Sequence, residues 1–300
     1  MTAAVIVTYN RKELLGRNIR MLLIQRRGFD RIFIVDNCST DGTPEYLKER
    51  GWMDDPRFVY VKTEANIGGA GGFHTGVKAA FEAGADYIVL MDDDGAAENE
   101  DTFAHLFDAA DALYRENPRL FVNSLVQRGD LLSFKMGNKY TVAEALAAAE
   151  NGLLEGQANP FNGTLVSREL VESIGYPNAD FFIKGDEVNY KQRAFAAGAR
   201  VVTVADSRYD HPRPETHERV VLGKKVPFFV EAPWKEYYAA RNFTWMYKQN
   251  GQYKAIAFEL IFVKLLAIMT MKCRKWATVK MLLRGVRDGW QGRLGPTVKP

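Results

Sequence analysis

Cysteine is almost missing from this chain of 300 residues, with Cys38 and Cys273 the only two. Two cysteines cannot staple a disulfide scaffold or build a cysteine-rich zinc site, and they fit a reducing compartment. Charge of one sign is lacking too. Forty Lys and Arg against 37 Asp and Glu leave a net +3, which is no global nucleic-acid signature. No leader is visible: the chain opens on "MTAAVIVTYN", already a strand, without a charged n-region or cleavage site. That predicts a cytoplasmic catalytic portion. The most apolar run, "AIAFELIFVKLLAIMTM" at 255–271, is short for a membrane span and carries Glu259 and Lys264. What remains, 47 % hydrophobic and 26 % charged, is an ordinary globular composition.

Strand and helix patterns alternate through the first hundred residues. "AAVIVTYN", "RIFIVDN", "RFVYVKT" and "YIVLMD" are apolar, β-branched or aromatic runs. Between them "RKELLGRNIRMLLIQ" sets Leu14, Leu15, Ile19, Leu22 and Leu23 at helical spacing. "STDGTPEYLKERG" offers turn chemistry, Pro44 for a first helical turn and Gly51 as a stop. "HTGVKAAFEAGA" reads as a helix preceded by the glycines of "NIGGAGG". Such repeats predict an α/β fold with a parallel sheet covered on both faces. After residue 100 the pattern loosens, and from 234 it is mainly helical and basic.

Ligands bind beyond the carboxyl ends of the strands in these sheets. Found there are Thr8, Tyr9 and Asn10, then Asp36 and Asn37, then Asp92, Asp93 and Asp94. Three adjacent carboxylates repel one another unless a positive charge sits among them. They form either an acidic turn capping the next helix or a cation site, and their place after a buried strand favours the cation. Alternate residues Asp92 and Asp94 then reach Mn²⁺ or Mg²⁺, leaving Asp93 for a sugar or ribose hydroxyl. His211, after a late strand and before Pro212, is the candidate third ligand, although a histidine there is otherwise a surface residue. Asp36 at a strand tip can accept a base or ribose proton, whereas Asp41–Gly42 reads as a plain turn. The glycines of "NIGGAGGFHTG" let either a diphosphate or a packed strand approach. Asp186 and Glu187 enter a helix as an acidic cap or as an orienting acid beside a base.

"VIVTYNR", "IVDNCSTDGT", "NIGGAGG", "LMDDD", "FFIKGDE" and "YYAARN", in that order, resemble a family 2 glycosyltransferase with the GT-A fold. The likeness spans roughly residues 3 to 245. The uninterrupted triple aspartate, the "KGDE" loop and the later histidine look most like bacterial galactofuranosyltransferases. The resemblance implies a Rossmann-like mixed sheet over 1–233 with a helical basic region over 234–300. It implies a UDP-sugar donor held through Mn²⁺ or Mg²⁺ by Asp92, Asp94 and His211. Thr8, Tyr9, Asn10, Arg11 and Asp36 would contact uridine and phosphates, with Asn66 and the glycine loop around Gly69 nearby. Glu187 stands at the position of the family's base, normally aspartate, with Asp186 beside it. His74 stands where many relatives have asparagine.

From Tyr253 to Trp290 apolar runs alternate with Lys264, Lys272, Arg274, Lys275, Lys280, Arg284 and Arg287. Such helices either lie on an anionic membrane surface or pack on protein. The reading is therefore an inverting galactofuranosyltransferase acting on a glycan or lipid-linked glycan, such as an O-antigen, at the inner face of the cytoplasmic membrane. A dTDP-rhamnose-dependent rhamnosyltransferase is the nearest rival. A nucleotidyltransferase would show a glycine-rich basic loop where "TYNRKELL" stands, and a non-catalytic nucleotide- or glycan-binding subunit is the alternative of another class.

Overall fold

A computed structural model describes residues 1–213, 217–221, 224–228, 231–271 and 274–299; Lys272 and Cys273 lie outside them. The chain forms two compact units, Met1–Pro177 with Tyr190–Arg213 and Asn178–Asn189 with Pro214–Pro300. The division therefore falls differently from the expected 233/234. Side-chain bonds explain it: Arg241 and Asn242 bind the carbonyls of Asp180, Phe181, Ile183 and Lys184, tying that loop to the second unit.

In the first unit four parallel strands, β1 (Thr2–Thr8), β2 (Arg31–Asp36), β3 (Phe58–Lys62) and β4 (Tyr87–Asp92), stand in the order β3-β2-β1-β4. Helices α1 (Lys12–Leu23), α2 (Thr43–Glu49) and α3 (Gly68–Glu82) connect them. Alternation explains the packing of β1. Ala4 and Ile6 enter one core with Leu15, Ile19 and Phe103, while Ala3, Val5 and Val7 enter another with Phe73, Val77 and Ile88. A strand buried on both faces must read as a continuous apolar run.

The sheet then turns mixed. Next come β5 (Ala96–Ala97), α4 (Thr102–Tyr114), β6 (Leu120–Arg128), β7 (Leu131–Met136), β8 (Lys139–Thr141) and α5 (Val142–Ala148). They are followed by β9 (Leu153–Glu155), β10 (Asn162–Ser167), α6 (Arg168–Ile174), α7 (Asp186–Ala196) and β11 (Arg200–Asp210). Strand β10 runs antiparallel between β4 and β6, β11 runs parallel to β6, and β5 closes the edge antiparallel to β11. In the second unit β12 (His217–Val221) and β13 (Lys224–Phe228) pair as a hairpin. Helix α8 (Pro233–Gln249) precedes α9 (Tyr253–Ala255), a π-helical segment Ile256–Val263, α10 (Lys264–Met269) and α11 (Lys275–Trp290). Among the described residues no helix is long and apolar enough to cross a membrane.

One expectation is corrected. The glycines of "NIGGAGG" do not form a loop ahead of the helix; from Gly68 on they are the first turns of α3. Close packing is the reason. A Cβ at Gly72 would lie 2.4 Å from Val7 Cγ1, and one at Gly76 2.3 Å from Val5 Cγ1. Gly76→Ala should therefore lower stability by about 1–3 kcal/mol through overpacking, against the ~1 kcal/mol that alanine gains in helix propensity. A denaturant midpoint that stays put or rises would contradict this packing.

Candidate metal and donor site

Asp93 and Asp94 form the turn from β4 into β5, not a cap on a helix, since α4 begins only at Thr102. The sequence reading missed β5, and β5 matters. Its pairing of Ala97 with Tyr209 and Ala96 with Asp210 draws the end of β11 to the aspartates. Gly95 leaves room for the Tyr209 ring, which a Cβ there would meet at 2.3 Å. Asn18 of α1, fully buried, donates to the Asp92 carbonyl at 3.0 Å and fixes the turn from below.

His211 follows β11, and its backbone is pinned by the Gln127 carbonyl and by Ser133 Oγ. Asp92, Asp94 and His211 each offer one ligand atom within 4.8 Å of the others. Carboxylate oxygens suit hard divalent cations, and an imidazole adds one nitrogen donor. The residues fit a divalent cation. His211 Nδ1 lies 2.7 Å from the Pro212 carbonyl and Nε2 3.2 Å from Asp94 Oδ1. Both partners accept, an arrangement that favours the protonated ring. Burial opposes this charge, but Asp94, Asp92 and the Pro212 carbonyl outweigh it and raise the pKa of His211. With Nδ1–H on the carbonyl, Nε2 is the nitrogen available to a metal once its proton is lost.

Positive charge is already present among the aspartates. Arg11 Nη1 donates to Asp93 Oδ1 at 3.1 Å and to Asp94 Oδ2 at 2.9 Å. Burial works against ionisation of Asp94, yet His211 and Arg11 prevail and its pKa falls below the usual range. Asp93 goes the other way: burial dominates and raises its pKa despite Arg11 and Thr8.

The other residues expected to contact the donor have these surroundings in the protein. Asp93, read as free for a sugar or ribose hydroxyl, is only 4 % exposed and faces inward. Its Oδ2 accepts from Thr8 Oγ1 at 2.8 Å and from the Tyr9 amide at 3.4 Å. Asp36 is fully buried at the tip of β2, accepting from the Ser39 amide at 2.8 Å and from Tyr60 Oη. Both carboxylates brace strand tips. Asn10, in the left-handed region at φ 54°, accepts from the Thr40 amide at 2.7 Å. Asn66 accepts from the Gly68 amide at 2.9 Å and so shapes the start of α3. Gly69 has nothing within 4 Å of a would-be Cβ and leaves that face of α3 open, and Tyr9 is exposed. Asp41 and Gly42 make the expected turn, Asp41 Oδ1 accepting from Thr43 Oγ1 at 2.6 Å. His74 packs its ring on Tyr176 and places Nδ1 2.9 Å from the Pro177 carbonyl.

In the second unit, the loop before α7 is held by side chains to which the sequence reading gave no role. Fully buried Arg241 donates to the carbonyls of Asp180 at 3.0 Å and Phe181 at 2.9 Å. Asn242 donates to Phe181 and Ile183, both at 3.0 Å, and to Lys184 at 2.7 Å. This bracing sets the first turn of α7, where Asp186 is buried and Glu187 half-buried. "YYAARN" was visible as a motif, but only the fold reveals which carbonyls it serves.

Residues 3–117 match the family model described as glycosyl transferase family 2. The chain carries a glycosyltransferase family 2 domain. Along almost its whole length this glycosyltransferase is similar to galactofuranosyltransferase GlfT1 of Mycobacterium tuberculosis: 28 % identity over 294 residues, 95 % of either chain. It is also similar to the dTDP-rhamnosyl transferase RfbF of Shigella flexneri, at 25 % identity over 97 % of this chain and 96 % of that one. Among solved structures, the mannosyltransferase PcManGT from Pyrobaculum calidifontis, in complex with GDP-Man and Mn²⁺, superposes with a TM-score of 0.56. That match covers 97 % of the glycosyltransferase and 87 % of the neighbour at 16 % identity, a likeness of fold alone. The fold is GT-A, as the motifs implied.

Proposed function

We propose that the protein transfers galactofuranose from UDP-galactofuranose to a hydroxyl of a growing bacterial cell-surface glycan, with inversion. The observation that carries this reading is the Asp92–Asp94–His211 cluster at the carboxyl edge of the sheet. The full-length similarity to a galactofuranosyltransferase supports the sugar. A divalent cation bound there supplies Lewis-acid stabilisation of the charge developing on the departing diphosphate.

The chain's own groups do the rest. Glu187, the more accessible of the two carboxylates in the first turn of α7, accepts the proton of the acceptor hydroxyl. The freed oxygen forms its bond to the anomeric carbon as the bond to the diphosphate breaks, and the configuration inverts. Asp186, buried beside it, orients the loop. The exposure of Tyr9 and the open face at Gly69 support a role for both in meeting the donor.

A calorimetric donor panel tests the reading. With Mn²⁺ present, UDP-galactofuranose should bind, and chelation should abolish binding. Preferred binding of dTDP-rhamnose would favour the rhamnosyl reading that the RfbF similarity keeps in play.

The second unit supports contact with a membrane surface carrying a lipid-linked acceptor. Tyr253, Phe258, Phe262, Met269, Trp276, Leu283 and Trp290 are each exposed by 47 % or more. Within Ile256–Val263 only Ile256 is buried. Basic residues Arg274, Lys275, Lys280, Arg284 and Arg287 accompany them. Sedimentation with vesicles containing anionic lipid should fall sharply in Phe258→Glu/Phe262→Glu. Equal sedimentation of that variant would remove the membrane from the account.

A further inference from the structure

We propose that Arg11 is a built-in counter-cation that must release Asp94 before a divalent ion can bind, so that metal binding is coupled to the arrival of the donor's diphosphate. The inference rests on reading Asp92, Asp94 and His211 as ligands, and not on which sugar is transferred.

Arg11 Nη1 bridges the Asp93 and Asp94 carboxylates, the second of which is a member of the ligand cluster. Arg11 holds Asp94 Oδ2 while His211 faces Oδ1, so a dication entering the cluster meets a guanidinium across the same carboxylate and is repelled by it. The ion is held more tightly once Arg11 leaves. The Asp93 side chain is 5 % exposed, but the Arg11 side chain is 49 % exposed, so solvent lies on one side of it. Its planar fork then finds a second anionic partner in a diphosphate, which it can meet with two parallel hydrogen bonds. Without nucleotide Arg11 competes with the metal for Asp94. With a diphosphate present the competition is relieved. By linkage, the nucleotide must tighten the metal by the same factor as the metal tightens the nucleotide.

The test is Mn²⁺ titration of the full chain, followed by the electron paramagnetic resonance of free Mn²⁺, with and without UDP. Wild type, Arg11→Gln and Arg11→Lys are compared, each checked for folding by thermal melt. Without UDP, Arg11→Gln should bind Mn²⁺ about tenfold more tightly than wild type, and UDP should tighten it by correspondingly less. Arg11→Lys keeps a charge for buried Asp93 but loses the fork, so it should fall between the two; it decides the matter if the glutamine variant does not fold. Variants that bind Mn²⁺ no more tightly than wild type overturn the proposal and leave the metal site standing. No Mn²⁺ binding by any of the three overturns both. A donor other than UDP-galactofuranose would sink the functional reading while leaving this result intact.

Discussion

Asp94→Ala should remove metal-dependent donor binding. Asp94 is the hub of the cluster, 3.2 Å from His211 Nε2 and 2.9 Å from Arg11 Nη1. Losing an outer-shell partner of a metal ligand typically costs about 10–100-fold in affinity. Losing a direct ligand from a set of three should exceed the upper end of that range. The fold should survive, because Asp94 lies in the turn beyond the carboxyl end of β4 and belongs to neither apolar core, although its loss leaves half-buried Arg11 and His211 without one partner and lowers the melt somewhat. The measurement is Mn²⁺ and UDP titration together with a thermal melt. A cooperative melt with lost Mn²⁺ response is expected; retained Mn²⁺-dependent UDP binding would dissolve the metal assignment.

Glu187→Gln should keep donor and metal binding and lose turnover, by roughly 10²- to 10⁴-fold if Glu187 is the general base. Glutamine preserves shape but has no basic oxygen for the acceptor's proton. The bracing of the preceding loop by Arg241 and Asn242 does not depend on the Glu187 side chain, so the local geometry should persist. Steady-state kinetics with a defined acceptor gives the answer. Normal turnover in this variant would shift the base to Asp186, despite its burial.

The fold was legible where one strong pattern decided the outcome. β1, β2 and β4 are buried on both faces, so their sequences could only be continuous apolar runs ending in polar tips. Asp92 and Asp94 were legible for the same reason, because the end of β4 is set by where the apolar run stops. His211 was legible only as a histidine after a strand. What brings it to the aspartates is the two-residue β5, too short to leave a periodic signal.

The direction of a side chain at a strand tip was not legible. Asp93 and Asp36 sit at strand tips like ligand-binding residues, yet they point inward, toward Thr8 and Arg11 in one case and Ser39 and Tyr60 in the other. Alternation along a strand cannot say which way a side chain turns once the strand has ended. The glycines at 72 and 76 were ambiguous between ligand approach and strand approach, and distances to Val7 and Val5 decide for the strand. Arg11 as partner of Asp93 and Asp94 was invisible because no local pattern links residues so far apart in the chain.

The measurement closest to the central claim is acceptor-stimulated nucleotide release by the intact protein across UDP-galactofuranose, UDP-galactopyranose and dTDP-rhamnose, with and without Mn²⁺. The account predicts UDP release from the furanose donor alone, dependent on the metal, with an inverted anomeric centre in the product. Release from dTDP-rhamnose alone, or release from the furanose that persists after the metal is chelated, would contradict it.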